Sequence, residues 1–308
     1  MKYFFIVGSP FCGSTAVGNI LNTSSQIFHA GEVDRLDLFG QYTGENANLT
    51  VHGCALCGLG HQGGPCPVWH DFPSRPSSPA EKVRSYEEMV ARAGRPVVLD
   101  SSKNADWMTM LWAAGLSVGG AIVLSRNPFA FARSHFKATG APVWQGVEIW
   151  RNIYNHCLRA ILHRGIPFMA LRHEEIYTNT EGYFSRMLNF MGVTGGVDYA
   201  EFFRYPCHSL GGNWGAYVHY AGFDAAAFLH REATEGRYAD PQEMVVKLGR
   251  QASPKQRDDD GWMDHVTAEE ISAGISIPGV VDVMSLLGYD ASAIAIRKAA
   301  RDRRAEAA

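Results

Sequence analysis

Four times along this chain a short apolar run is followed by a stretch with helical spacing. "KYFFIV", 2–7, stops at Gly8, and "TAVGNILN" then places Val17, Ile20 and Leu21 on one helical face. "RPVVLDSS" repeats the apolar run at 97–99 and "GAIVLSRNP" repeats it at 121–124, with "ADWMTMLWAAG" and "FAFARSHFK" behind them. "PFMALRHEEI" reads as a fourth strand, with "YFSRMLNFMG" as its helix. Continuous apolar runs of this length suit strands buried on both faces. Strands alternating with helices predict an α/β fold, a central parallel sheet flanked by helices. Ligands in such sheets sit outside the carboxyl ends of the strands. Gly8–Thr15, Ser101–Lys103 and Arg126 all fall at that edge.

Between these units the pattern breaks down. Residues 40–80 are rich in Gly, Pro, Ser and Cys and read as a loop insertion. Residues 204–262 read as a lid region, ending in the polar "RQASPKQRDDDGW" at 250–262. The tail "RKAARDRRAEAA" reads as a charged, solvated helix end. With no internal repeat, the expectation is one domain over 1–308 with loop insertions.

Composition narrows the function classes. Of 308 residues 46% are apolar and 19% charged, enough to bury a core. A net charge of −3 supplies no basic field for nucleic acid. "MKYFFIVGSP" lacks the apolar region and cleavage site of a signal peptide. No stretch is long enough for a membrane span. The expected location is the cytoplasm; oligomeric state is left open.

The first loop carries the first chemistry. "GSPFCGST" has the glycines and hydroxyl of G-x-x-x-x-G-K-[ST], with Ser14 where the lysine belongs. Backbone N–H groups of such a turn bind an anion without side chains. The lysine serves β- and γ-phosphates, so its loss suits a nucleotide with a 5′ anhydride and no γ-phosphate. Alone, the stretch reads equally as a tight strand-to-helix turn. In "IVLSRNPFAFARSHFK", Arg126 follows a strand and Ser134 lies in the next helix. A forked guanidinium there suits an oxyanion; the competing reading is a helix capped by Asn127-Pro128 beside an incidental arginine.

Taken together, the two stretches resemble the PAPS-dependent sulfotransferases of bacterial type, with their P-loop-like sulfotransferase fold. "GEVDRL" (31–36), "VLDSSK" (98–103), "LRHEEI", "FSRMLNFMGV" and "HSLGGNWGAY" (208–217) extend the resemblance in the family's order. It implies a sulfuryl transfer from PAPS, leaving PAP, to a hydroxyl (less often an amine) of a small-molecule, lipid or glycan acceptor. Pro10, Phe11, Cys12, Gly13, Ser14 and Thr15 would cradle the 5′-phosphosulfate, and Arg126 and Ser134 the 3′-phosphate. Gly212 and Asn213 would close near the nucleotide. Glu32 would be the general base, with His29 next in line, and Lys103 would stabilise the leaving group. One departure stands out: relatives carry P-[RK]-S-G-T-T where this chain has Phe11-Cys12, and Lys103 is the expected substitute.

Two other readings remain open. Asp100 in "PVVLDSS" imitates the carboxylate of a Walker B strand, as in a kinase or NTPase. Phe11 also suits a nucleotide-binding protein whose active site has decayed. Ser101 and Ser102 are expected to cap the next helix. Trp69, Trp107, Trp144 and Trp214 suit an acceptor pocket or the core equally.

Cys54, Cys57 and Cys66 form a C-x2-C-x8-C run near His52, His61 and His70. Zinc sites use such spacings, but the second C-x-x-C pair is missing. The expectation is no metal, with the thiols packed or paired locally.

Overall fold

The computed structural model describes residues 2–38, 66–69, 72, 76–212, 216, 217, 220 and 259–306. Its centre is a five-stranded sheet in the order β2-β3-β1-β4-β5. The strands are β1 (Lys2–Gly8), β2 (Ile27–Gly31), β3 (Val97–Lys103), β4 (Val118–Ser125) and β5 (Phe168–Arg172), and every pairing is parallel. Four are the apolar runs of the sequence. The fifth, β2, lies in "IFHAG", where the pattern gave no strand; five buried residues containing His29 do not look like an apolar run. "PFMALRHEEI" stays extended only to Arg172, and a short helix, Glu175–Thr178, follows.

Side chains alternate across each strand, so β1 to β4 feed two cores, while the edge strand β5 feeds one through Met169 and Leu171. Tyr3, Phe5, Val7, Phe28, Val98 and Val123 face one side, while Phe4, Ile6, Ile27, Leu99, Ile122 and Leu124 face the other. The second side is covered by α1 (Ser14–Leu21) and by the helix Thr180–Met191, through Val17, Leu21, Phe184 and Met187. The first is covered by α2 (Pro79–Ala93), α3 (Ala105–Ala113), α4 (Pro128–Thr139) and α5 (Val143–Arg164). Helices Ala268–Ile275 and Val280–Leu286 pack on α5. The last helix, Ala291–Glu306, is less solvated than expected, because Lys298 is buried against Asp302 at 2.5 Å.

Adjacent strands β1 and β4 send their helices to opposite faces, α1 to one and α4 to the other. The loops after them therefore diverge and leave a crevice at the carboxyl edge, the usual ligand position in such sheets. Among the described residues no helix is long and apolar enough to cross a membrane.

Candidate active site

β1 ends at Gly8, and α1 begins six residues later. Tyr154 of α5 holds the intervening loop from beneath. Its hydroxyl accepts from Ser9 N at 3.2 Å, lies 3.0 Å from Ser9 Oγ and donates to Leu124 O at 2.8 Å. Gly13 is the residue before the helix and has φ 84°; a Cβ there would stand 2.4 Å from Cε1 of His173. Only glycine fits, on both counts. Phe11 adopts the left-handed region without that freedom, at φ 63°, a strain typical of functional loops. The Cys12 thiol is sealed in the core, where burial raises its pKa, so this residue offers the loop its backbone alone. The first turn of α1 contains no acidic residue. Its N–H groups and dipole suit an anion.

Arg126 enters from β4. Asn127 does cap α4, accepting from Phe129 N at 2.9 Å and Ala130 N at 3.3 Å, and Trp150 Nε1 donates to Arg126 O at 2.9 Å. With its backbone so held, Arg126 turns its guanidinium into the crevice. Nη1 lies 3.3 Å from Ser134 Oγ, about two α4 turns above its cap, and 3.5 Å from Phe11 O, 115 positions away in sequence. The first loop, Arg126 and Ser134 thus meet.

Glu32 and Lys103 follow from the pairing of β2 with β3, in which Gly31 pairs with Asp100 and β3 runs on three residues to Lys103. Lys103 Nζ sits 2.6 Å from Glu32 Oε1, and Arg35 Nε sits 2.5 Å from Oε2. Lys103, too, is left-handed, at φ 65°, and its ammonium also donates to Ser101 O at 3.1 Å. Burial pushes the Glu32 carboxyl up, but the charges of Lys103 and Arg35 outweigh it and hold the group below its ordinary value.

A distant segment closes over this pair. Leu210 bridges to Gly31 on the edge of β2, accepting from Glu32 N at 2.6 Å and donating to Ala30 O at 2.8 Å. A Cβ on Gly211 would stand 3.4 Å from Glu32 Oε2, and one on Gly212 would stand 2.9 Å from Thr15 Cγ2. Gly211 therefore lies against the carboxylate side of the crevice and Gly212 against its loop side. Asn213 lies outside the described residues.

No protein-family model matches the chain, and no curated protein matches it either. Solved structures do. The sulfotransferase domain of the Synechococcus PCC 7002 olefin synthase superposes with a TM-score of 0.51 at 17% identity, over 82% of this chain and 94% of that one. The chain has the sulfotransferase fold. A sulfotransferase domain from the curacin biosynthetic pathway (TM-score 0.48, 12% identity, 94% and 98% coverage) and a sulfotransferase from Alicyclobacillus acidocaldarius (0.42, 15%, 85% and 98%) also match.

Within this sulfotransferase fold several sequence expectations change. Ser101 and Ser102 do not cap α3; Asn104 does, accepting from Trp107 N at 3.0 Å. Ser101 Oγ instead lies 2.9 Å from His29 Nε2, and Ser102 binds Asp100. His29 is sealed beneath the site, its Nδ1 3.0 Å from Asn19 Oδ1. Burial first, then the charge of Lys103, lowers its pKa to about 3 against the opposing pull of Glu32. With both ring nitrogens occupied, it does not reach an acceptor in the crevice. Asp100 points to the α2 side, where Tyr86 donates to Oδ2 and Ser102 N donates to Oδ1 at 2.6 Å. Burial raises its pKa to about 7, against the lowering hydrogen bonds. Trp69 and Trp107 are core residues, Trp144 is half exposed, and Trp214 lies outside the described residues. Of the cysteine run, Cys66 is described; Cys54, Cys57, His52, His61 and His70 lie outside.

Two residues of the site escaped the sequence reading. Arg35, on a 3₁₀ turn, clamps Glu32, and its position three residues on is a signal that could have been read. His173 under Gly13 carried no such signal, because β5 and α1 meet only in the fold.

Proposed function

We propose that this protein is a PAPS-dependent sulfotransferase acting on a hydroxyl of a small-molecule, lipid or glycan acceptor. The observation that carries the reading is the meeting of Arg126 with both the first loop and Ser134. That gives two anion positions in one crevice, one at the N-terminus of α1 and one at a forked cation.

The residues present fit such a donor. The loop Pro10–Thr15 would hold the 5′-phosphosulfate through backbone N–H groups and the Ser14 and Thr15 hydroxyls. Arg126 and Ser134 would hold the 3′-phosphate, and Gly212 would let its segment close on the loop. PAPS supplies the sulfuryl group. Sulfuryl transfer resembles phosphoryl transfer, in which catalysis is positioning and charge stabilisation. Glu32 is ionised and beside the crevice, so it takes the acceptor's proton. Lys103, whose ammonium lies on Glu32, would supply positive charge to the leaving-group side of a bound donor. It also supplies the charge that Phe11 lacks. The kinase reading fares worse: Asp100, tied to Tyr86 and Ser102, has no oxygen turned to the loop for magnesium.

Thermal shift tests the proposal, because a ligand of the folded state raises Tm. PAP should raise Tm without magnesium, and Mg-ATP should not. Arg126→Ala should lose about 2–5 kcal/mol of PAP binding, the usual cost of removing a desolvated charged partner. AMP, lacking the 3′-phosphate, should bind both forms about equally. A shift with Mg-ATP and none with PAP rejects the reading. PAP binding without turnover of PAPS across an acceptor panel would leave a nucleotide-binding protein.

A further inference from the structure

β3 carries a carboxylate on its core face. Asp100 follows Val98 on the side of the sheet covered by α2 and α3, and it is fully buried. Burial raises its pKa to about 7, so an ionised group is held here against a desolvation penalty. The proposed reaction has no direct use for Asp100, which lies away from the crevice. Its hydrogen bonds give it another task.

Both carboxylate oxygens are occupied. Oδ2 accepts from Tyr86, whose hydroxyl accepts in turn from Trp107 Nε1 at 2.8 Å. α2 and α3 thereby fix the carboxylate from the core side. Oδ1 accepts from Ser102 N at 2.6 Å and from Ser102 Oγ at 2.5 Å, the contact two residues on by which an aspartate shapes a turn. It falls at an irregularity of the sheet. Phe5 pairs with Asp100 and Val7 with Lys103, so β3 takes three steps where β1 takes two. Such bulges re-aim the side chains beside them. Lys103 ends this one, left-handed at φ 65° and with its ammonium on Glu32.

Ser102 carries the effect to a second element. Its Oγ accepts from Asp34 N at 3.0 Å, and Asn104 Nδ2 donates to Asp34 Oδ2 at 3.2 Å. These contacts dock the 3₁₀ turn Val33–Leu38 on the end of β3. Arg35, next to Asp34, holds the second Glu32 oxygen. Each cation on Glu32 therefore sits one residue beyond a backbone N–H that the Asp100–Ser102 unit accepts.

We propose that Asp100 is a positioning residue for Glu32: its carboxylate shapes the end of β3 and, through Ser102, sets the two cations that hold the base ionised. The role rests on the proposed reaction, in which Glu32 is the base, and Asp100 touches no reacting group. Besides Lys103 and Arg35, the groups that act on Glu32 are Asp34 on the same turn and His29 on β2. Asp100 itself is faced by Tyr86 and Asp34. Without the two cations, burial would push the Glu32 carboxyl up.

The test follows the Glu32 carboxyl by NMR of the full chain, labelled at its glutamate carboxyl carbons and free of nucleotide. Glu32→Gln assigns the signal, and circular dichroism marks the pH range in which each variant is folded. In the wild type Glu32 should titrate below its ordinary 4.5. Asp100→Leu, of similar size, removes both acceptors and should move the titration upward. Asp100→Asn keeps Oδ1 for Ser102 and should restore the wild-type curve. Ser102→Ala keeps the backbone N–H on Asp100 but loses the tie to Asp34, so its upward move should be smaller. The acid limb of kcat/KM should follow the same order. An aspartate that only stabilises the core would lower Tm in Asp100→Leu and leave the Glu32 titration where it was; that result overturns the proposal. A move in Asp100→Asn as large as in Asp100→Leu overturns it too. Should Asp100→Leu misfold, Ser102→Ala decides: an upward move supports the role, and an unmoved titration overturns it. PAP thermal shift on the wild type keeps the two readings apart. PAP binding with an unmoved titration condemns the positioning role alone, and a moved titration without PAP binding condemns the nucleotide reading alone.

Discussion

Glu32 has a cation on each carboxylate oxygen, and this decides how it works as a base. Lys103 and Arg35 hold it ionised, so protonation should impair activity only below the ordinary glutamate value of 4.5. The acid limb of kcat/KM is the measurement; a limb near neutrality would assign the base elsewhere. Glu32→Gln keeps the shape but accepts no proton, so kcat should fall about 10²–10⁴-fold, the usual general-base contribution. PAP affinity should barely change. Lys103→Ala should slow turnover and weaken PAPS binding together, because its ammonium meets the donor. Native turnover by Glu32→Gln would remove Glu32 from the role. His29 gives a stability prediction. Its folded pKa, about 3, lies below the ordinary 6.5, so its neutral contacts contribute fully above pH 6.5 and fade as pH falls toward 3. His29→Gln should be less stable than the wild type at pH 7, with the gap closing on acidification. Urea midpoints at several pH values check this; a gap constant with pH would mean the ring does not titrate with folding.

At the scale of elements, the strand-loop-helix unit β1–α1 depends on a glycine whose environment is full. Gly94, the C-cap of α2, also has positive φ (64°), but a Cβ there would meet nothing within 4 Å. Gly94→Ala should therefore cost only the left-handed backbone term, about 1–2 kcal/mol. Gly13→Ala meets the same term at φ 84° and must also displace the His173 ring. It should cost clearly more in denaturant midpoint and abolish the PAP-induced Tm shift. Equal costs at the two positions would mean the loop yields easily. β2 works differently, as an edge strand that pairs with β3 and takes Leu210 on its other side. It brings Glu32, the first residue beyond its end, to the carboxyl edge, where Lys103, Arg35 and Leu210 hold it rather than leaving it the free loop carboxylate that its sequence neighbourhood suggests.

For the whole molecule, the parallel sheet, its helices and the carboxyl-edge placement of Gly8–Thr15, Lys103 and Arg126 were legible from the sequence. Buried parallel strands must be apolar throughout, and the glycine at the exit of β1 records a backbone need that no side chain can hide. β2 was not legible, because His29 interrupts its apolar pattern and finds its partners on α1 and β3. Pairings between distant segments were also beyond reach: Arg126 with the Phe11 carbonyl, Lys103 with Glu32, Gly212 with Thr15, Cys66 with His208. Local periodicity reports which face of an element is buried, since that depends on near neighbours in the chain. It carries no record of which far segment covers that face. By itself, the sequence determined the layers of this protein and the edge that bears its chemistry. Only the tertiary structure decided that Glu32 is clamped by two cations, that Asp100 and His29 are sealed away from the crevice, and that His208 stands beside Cys66. Lys103 reaches Glu32, Ser101 reaches His29 and His208 reaches Cys66 across more than seventy positions of sequence, a distance over which local periodicity carries no record.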